Sequence, residues 1–182
     1  HAVEWLRQER TRNVRRWMVI GEFPNWGGAG HDTAYPPEHA IDFSATYPGW
    51  YRALQWRPWF TLAAKNHVLE LQEALSPIFE YYPRFDHGTA YAYAEFTMDR
   101  RQSAVMKLGL QDATKVWLNG ALVYECLDQI PHDQFKEDAA PVFIKQGRNT
   151  ILVKVSKIPG PFRFAVDFES SDAQPMAITW WK

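Results

Sequence analysis

Hydrophobic and polar residues alternate along much of this chain with the period of two that an extended strand requires. The clearest case is Lys115-Val-Trp-Leu-Asn-Gly-Ala-Leu-Val-Tyr-Glu125, where Val116 and Leu118 alternate against Lys115, Trp117 and Asn119. Asn119 and Gly120 both tolerate the positive φ that a type I′ turn needs, so this stretch predicts a strand, a tight turn and a second strand. Residues 143–155 repeat the logic, with a turn at Gly147 and an alternating strand after it. In Ala90-Tyr-Ala-Tyr-Ala-Glu-Phe96 the pattern sets Tyr91, Tyr93 and Glu95 on one face and Ala92, Ala94 and Phe96 on the other. Further strands are predicted at 17–21, 54–57, 104–110 and 162–168. Many short strands parted by Gly, Pro and Asn turns mean an antiparallel β-sandwich. Its predicted core is Val19, Ile20, Ala92, Ala94, Phe96, Val116, Leu118, Ile151, Val153, Val155, Phe164 and Val166. Ile151, Val153 and Val155 test the register, because a slip of one residue turns every side chain to the other face.

The remaining segments carry weaker patterns. Residues 1–16 are polar and Arg-rich and read as a lead-in linker or a short helix at 3–10, with the sandwich domain spanning 17–182. Gly27 to Pro37 and Tyr81 to Gly88 are turn-rich loops without regular structure, and 68–74 is a helical turn ended by Pro77. At 182 residues the chain fits one domain able to bury a substantial core. A net charge of −1 supplies no field for nucleic acid or an anionic membrane. No apolar run is long enough to span a bilayer as a helix. The single Cys126 excludes an intramolecular disulfide. No signal peptide is recognisable, so the chain reads as a mature form or as a segment of a longer protein.

Several of these segments together resemble the galactose-binding-like jelly-roll modules appended to polysaccharide-degrading and other cell-surface enzymes. The residues that carry the likeness are 17–24, Pro36-Pro-Glu38, 90–96, the Lys115–Glu125 hairpin, 144–155 and 162–168. The resemblance implies a two-sheet jelly-roll, an extracellular or cell-surface setting, and neighbouring domains in a larger chain. Similar modules often carry Gly-Ser-Asp-Asp-Gly before the hairpin, whereas this chain has Gly109-Leu-Gln-Asp-Ala113 and keeps one acid. The family's structural calcium is allowed for, with Glu38, Asp42, Glu95 and Asp167 as the acids nearest strand ends.

Composition turns the question toward sugars. Aromatics make up 15% of the chain, with nine Trp, more than a core of this size needs. Trp50, Tyr51, Trp56 and Trp59 cluster in one region, and Tyr81, Tyr82, Arg84, Asp86 and His87 follow in a loop. Sugar rings stack their C–H faces on aromatic side chains while their hydroxyls seek Arg, Asp or His. Trp56 reads as a core residue. The binding set is therefore Trp59, Tyr81 and Tyr82 for stacking, with Arg84, Asp86 and His87 for hydroxyls or an acidic sugar. Pro58 and Pro83 stiffen the backbone beside Trp59 and Tyr82, which limits the ordering cost of binding.

The reading that follows is a non-catalytic carbohydrate-binding accessory module whose partner is a glycan or polysaccharide, needing no cofactor. Two alternatives stand beside it. One is a structural spacer without sugar binding. The other is a copper histidine-brace oxidative enzyme, in which the amine and imidazole of His1 chelate the metal with a second histidine. A phosphate loop, H-E-x-x-H and C-x-x-C are all absent from the sequence, and no acid pair is fixed by spacing. Cys126 reads as a packing residue rather than a nucleophile.

Overall fold

The alternating segments form strands, and their two faces meet different partners. A computed structural model of the chain describes residues 11–62, 67–75, 88–128, 130, 134–157, 161–172 and 176–180. In chain order the strands are β1 (Thr11–Asn13), β2 (Arg16–Pro24), β3 (Tyr47–Pro48), β4 (Ala53–Leu54), β5 (Arg57–Phe60), β6 (Leu69–Glu70) and β7 (Gly88–Met98). They continue with β8 (Gln102–Leu110), β9 (Ala113–Leu118), β10 (Ala121–Cys126), β11 (Lys136–Ile144), β12 (Gly147–Lys157), β13 (Arg163–Ser170) and β14 (Ile178–Trp180). A 3-10 segment covers Trp26–His31, and two short helices follow, α1 (Pro36–His39) and α2 (Leu71–Leu75).

These strands build an antiparallel two-sheet sandwich. The front sheet runs β1-β13-β8-β11, with β6 sharing the β1 edge of β13. The back sheet runs β10-β9-β12-β7-β2-β5, with β14 continuing beside β7 beyond the start of β2. Strands β3 and β4 form a separate ribbon. Asn119 and Gly120 adopt φ of 53° and 81° and close the tight β9–β10 hairpin, as their chemistry predicts.

The predicted core residues are all buried, and Ile151, Val153 and Val155 are fully so, which confirms the register. They face Met106, Leu108, Phe164, Val166 and Phe168 of the front sheet within one cluster. Trp17 meets Phe164 edge-on at 5.2 Å, and Phe96 packs on Phe168 at 5.4 Å. Each such aliphatic or aromatic side chain contributes about 1.5–3 kcal/mol through burial.

Ile20 is also buried, but in a different layer. Neighbours on a strand point to opposite faces, so Val19 and Ile20 cannot share one core. Residues 25–56 fold as a strap over the outer face of the back sheet. Beneath it Ile20, Phe23, Leu54, Trp56, Tyr91 and Tyr93 form a second apolar cluster. Trp56 is therefore a core residue, as expected.

Three local expectations differ in detail. Thr11–Asn13 pair with β13 and Val14 is buried in the main core, so residues 11–16 lie in the sandwich although their polarity suggested a lead-in. An edge strand needs only one apolar anchor and its own backbone hydrogen bonds, and neither leaves a strong pattern. The strand expected at 54–57 divides into β4 and β5, and Pro58 lies on the outermost strand, where no ladder partner is lost. The Gly27–Pro37 loop overlaps the 3-10 segment, which kinks where Gly27 and Gly28 take φ of 59° and 84°, and the start of α1, which Pro36 opens.

Candidate functional site

Asn25 follows β2 and is completely buried. Its side-chain amide donates to the Lys157 carbonyl at 2.8 Å, and its oxygen accepts from the Gly30 amide at 2.8 Å. These bonds pin the 3-10 segment to the back sheet and turn its first residue outward. Trp26 is 74% exposed despite its size. The β3–β4 ribbon brings a second group to the same place. Its tip is Gly49-Trp50-Tyr51-Arg52, closed by the Gly49 amide on the Arg52 carbonyl at 3.0 Å. The Trp50 amide donates to the Glu22 carbonyl of β2 at 3.0 Å, which ties the tip to the end of that strand.

The result is a row of three rings. Trp26 and Trp50 lie 4.2 Å apart between centroids with planes tilted by 38°. Trp50 and Tyr51 are 5.6 Å apart at 40°. Tyr51 is 62% exposed and Trp50 is half-buried between its neighbours. Exposed aromatics gathered this way make this row the candidate binding surface. Arg52 closes the same turn, and its guanidinium donates to the Leu75 carbonyl at the end of α2.

A buried network holds the strap in place below the rings. Lys154 of β12 is fully buried. Its ammonium donates to the carbonyls of His31 and Thr33 at 2.8 Å each and to Glu38 Oε1 at 2.7 Å. Tyr91 donates to the same Glu38 oxygen at 2.5 Å, and Tyr35 stacks on Phe23 at 4.7 Å. Burial lowers the Lys154 pKa, with the Glu38 carboxylate opposing. Burial also raises that of Tyr91, reinforced by its bond to Glu38.

Glu22 stands at the same end of β2 and is 7% exposed. Its carboxylate lies against Gly88, where any β-carbon would collide with it. Among the described residues Glu22 Oε1 has no hydrogen-bond partner. Desolvation pushes its pKa up to about 7, with Lys157 and Arg52 partly offsetting.

The residues read from the sequence fall in several places. Trp59 lies half-buried on edge strand β5, opposite Trp17 in register and packed against the main core. Tyr81, Tyr82, Arg84, Asp86 and His87 lie outside the described residues, as does His1. Gly88, the next described residue, pairs with Pro24 and lies against the Glu22 side chain. Among the acids considered for calcium, Glu38 is held by Lys154 and Tyr91, Glu95 by Arg148 and Tyr93, and Asp42 by Ser44. Trp26 is the residue that sequence reasoning missed. The available signal was a large apolar side chain directly before two glycines, where neither a helix nor a strand can bury it. A groove of about 640 Å³ lies on the outer face of the front sheet, lined by Lys107, Gly109, Phe135 and Asp167 among others. There Lys107 pairs with Glu169, and Arg163 lies over Phe135.

No protein-family model matches the chain. No curated protein matches its sequence. Solved structures do resemble it. A β-glucuronidase from Ruminococcus gnavus aligns over 88% of this chain and 29% of its own length, at 11% identity and a TM-score of 0.50. A β-glucosidase from Kluyveromyces marxianus aligns over 53% of this chain and 13% of its own, at 13% identity and a TM-score of 0.44. A family 35 carbohydrate binding module from Clostridium thermocellum aligns over 53% of this chain and 86% of its own, at 13% identity and a TM-score of 0.38. The chain thus spans less than a third of either enzyme. At such identities the likeness is one of architecture alone: part of the glucuronidase shares the antiparallel β-sandwich, jelly-roll fold described above.

Proposed function

We propose that this chain is a non-catalytic carbohydrate-binding accessory domain that holds a larger enzyme or surface protein on a glycan outside the cell. The observation that carries this reading is the exposed Trp26–Trp50–Tyr51 row. Its rings are displayed by two short, internally bonded turns, so little ordering is needed when a ligand arrives. A pyranose presents an apolar C–H face of matching size. A fold shared with part of a glycosidase supports the same reading, since the chain would then act inside a longer protein. Tyr81, Tyr82, Arg84, Asp86 and His87 remain the sequence-derived contacts, while Trp59, opposite Trp17 at the other end of β2, would serve a separate subsite.

A glycan array followed by calorimetry on the best ligand tests this. Trp26→Ala or Tyr51→Ala should weaken binding by about 1–3 kcal/mol each, by analogy with base stacking on aromatic side chains. Trp59→Ala and Tyr82→Ala run in parallel separate the two sets of residues. Absence of binding across the array would favour the spacer. Binding that no substitution affects would place the sugar elsewhere on the domain.

A further inference from the structure

On the flank of the strap, three metal-ligating side chains from two distant parts of the chain converge. His31 ends the 3-10 segment, Asp32 follows it, and Glu125 lies on β10. One donor atom from each lies within 4.8 Å of the others. His31 is 4% exposed, and its Nε2 stands 3.0 Å from Glu125 Oε1. Among the described residues its other ring nitrogen, Nδ1, is buried without a hydrogen-bond partner. Among the described residues, the one polar contact of this buried imidazole is thus directed at a carboxylate.

The cluster already contains a cation. Lys115 sits beside Glu125 on the neighbouring strand, in register, with its ammonium 3.3 Å from Glu125 Oε1 and 3.5 Å from Asp32 Oδ1. Two carboxylates and one ammonium leave the cluster with a charge of −1. With the flexible lysine swung out, the two carboxylates present −2 to a dication beside the imidazole nitrogen. We propose that His31, Asp32 and Glu125 form a binding site for a divalent transition ion of the zinc class, in which Lys115 occupies the ion's place until it is displaced.

The donor set fits that class. One imidazole nitrogen and two carboxylate oxygens suit zinc, with water as a fourth ligand, and suit calcium poorly because calcium wants six or more oxygens. The donors must draw in to about 2.0–2.2 Å from the ion. His31 is fixed, because Lys154 holds its carbonyl and Asn25 holds the turn. Asp32 and Glu125 are exposed and free to close on the metal. A metal-bound histidine ordinarily donates its second N–H to a further partner. Nδ1 has none here, which sets the affinity well below that of a dedicated structural zinc site.

Calorimetry of the chelator-treated full chain with zinc chloride, and separately with calcium chloride, reads the proposal directly. One zinc per chain is expected, with no heat from calcium. Glu125→Gln and Asp32→Asn, both at exposed positions, should each weaken zinc binding about tenfold or more. Lys115→Met should strengthen it, because the competing ammonium is gone. Zinc binding that survives both carboxylate substitutions would belong to other histidines and overturn the proposal. It is equally overturned if the wild-type chain binds no zinc, including the case in which Lys115→Met alone binds it, for then the native cluster is a closed ion pair.

Discussion

Replacing Glu22 with glutamine should remove a pH dependence from the stability of this domain. Glu22 is buried against Gly88, one carboxylate oxygen lacks a hydrogen bond among the described residues, and desolvation raises its pKa from 4.5 to about 7. The sign follows from proton binding. Between pH 4.5 and 7 the folded chain keeps a proton that the unfolded chain releases, so stability falls as pH rises through that window. Below pH 4.5 both states are protonated and the contribution is fully present. Above about pH 7 both are ionised and it is gone. The displacement corresponds to about 3 kcal/mol, or about 6–12 °C in Tm for a chain of this size. His31 and His67 work in the opposite direction in part of this range, because burial lowers their pKa values. The useful quantity is therefore the difference between wild type and Glu22→Gln, which cancels them. Urea denaturation from pH 4.5 to 8 measures it, with the m-value confirming an unchanged unfolding transition. The two proteins should match closely at pH 4.5, and the variant should be the more stable by about 3 kcal/mol at pH 8. A difference that stays flat across the range would refute the reasoning and mean that Glu22 is ionised and satisfied in the folded chain.

Other substitutions probe the remaining layers. Lys154→Met strands the Glu38 carboxylate beneath the strap and should cost about 3–5 kcal/mol in chemical denaturation, part of it recovered when Glu38→Gln is added. Ile151→Ala, at a fully buried position between the sheets, should destabilise by about 2–5 kcal/mol in the same assay. Trp26→Ala should change stability by less than about 0.5 kcal/mol, yet abolish the exciton signal of the paired indoles in circular dichroism. A large loss of stability there would mean that the ring supports the strap rather than serving as a displayed surface.

Strand positions and facing were legible in the sequence because both are local. Val116 against Trp117, and Ala92 against Tyr91, report side-chain direction through a period of two that needs no knowledge of the partner strand. The Asn119-Gly120 turn was legible for the same reason, since positive φ is a property of the two residues that adopt it. Local pattern does not say which strand a neighbour joins. Gly147 also has positive φ and looks like a second hairpin, yet β11 pairs with β8 in the front sheet while β12 pairs with β7 and β9 in the back sheet. The turn is an arch between layers, closed by the buried Asn149 side chain, which accepts from the Lys145 backbone amide, donates to the Lys145 carbonyl and accepts from the Asn119 side-chain amide.

The strap shows the same boundary at the site. Alternation placed Tyr91, Tyr93 and Glu95 on the face away from the core, but it could not show that residues 25–56 would cover the tyrosines. That cover is irregular backbone, which carries no hydrophobic period, and it is held by contacts far apart in sequence, such as Lys154 with Glu38. The aromatic surplus was visible in the composition, and Trp50 and Tyr51 stood out within it. Their assembly with Trp26 was decided only when the end of β2 brought two turns together, because a stacking surface depends on distances between rings that no sequence spacing encodes.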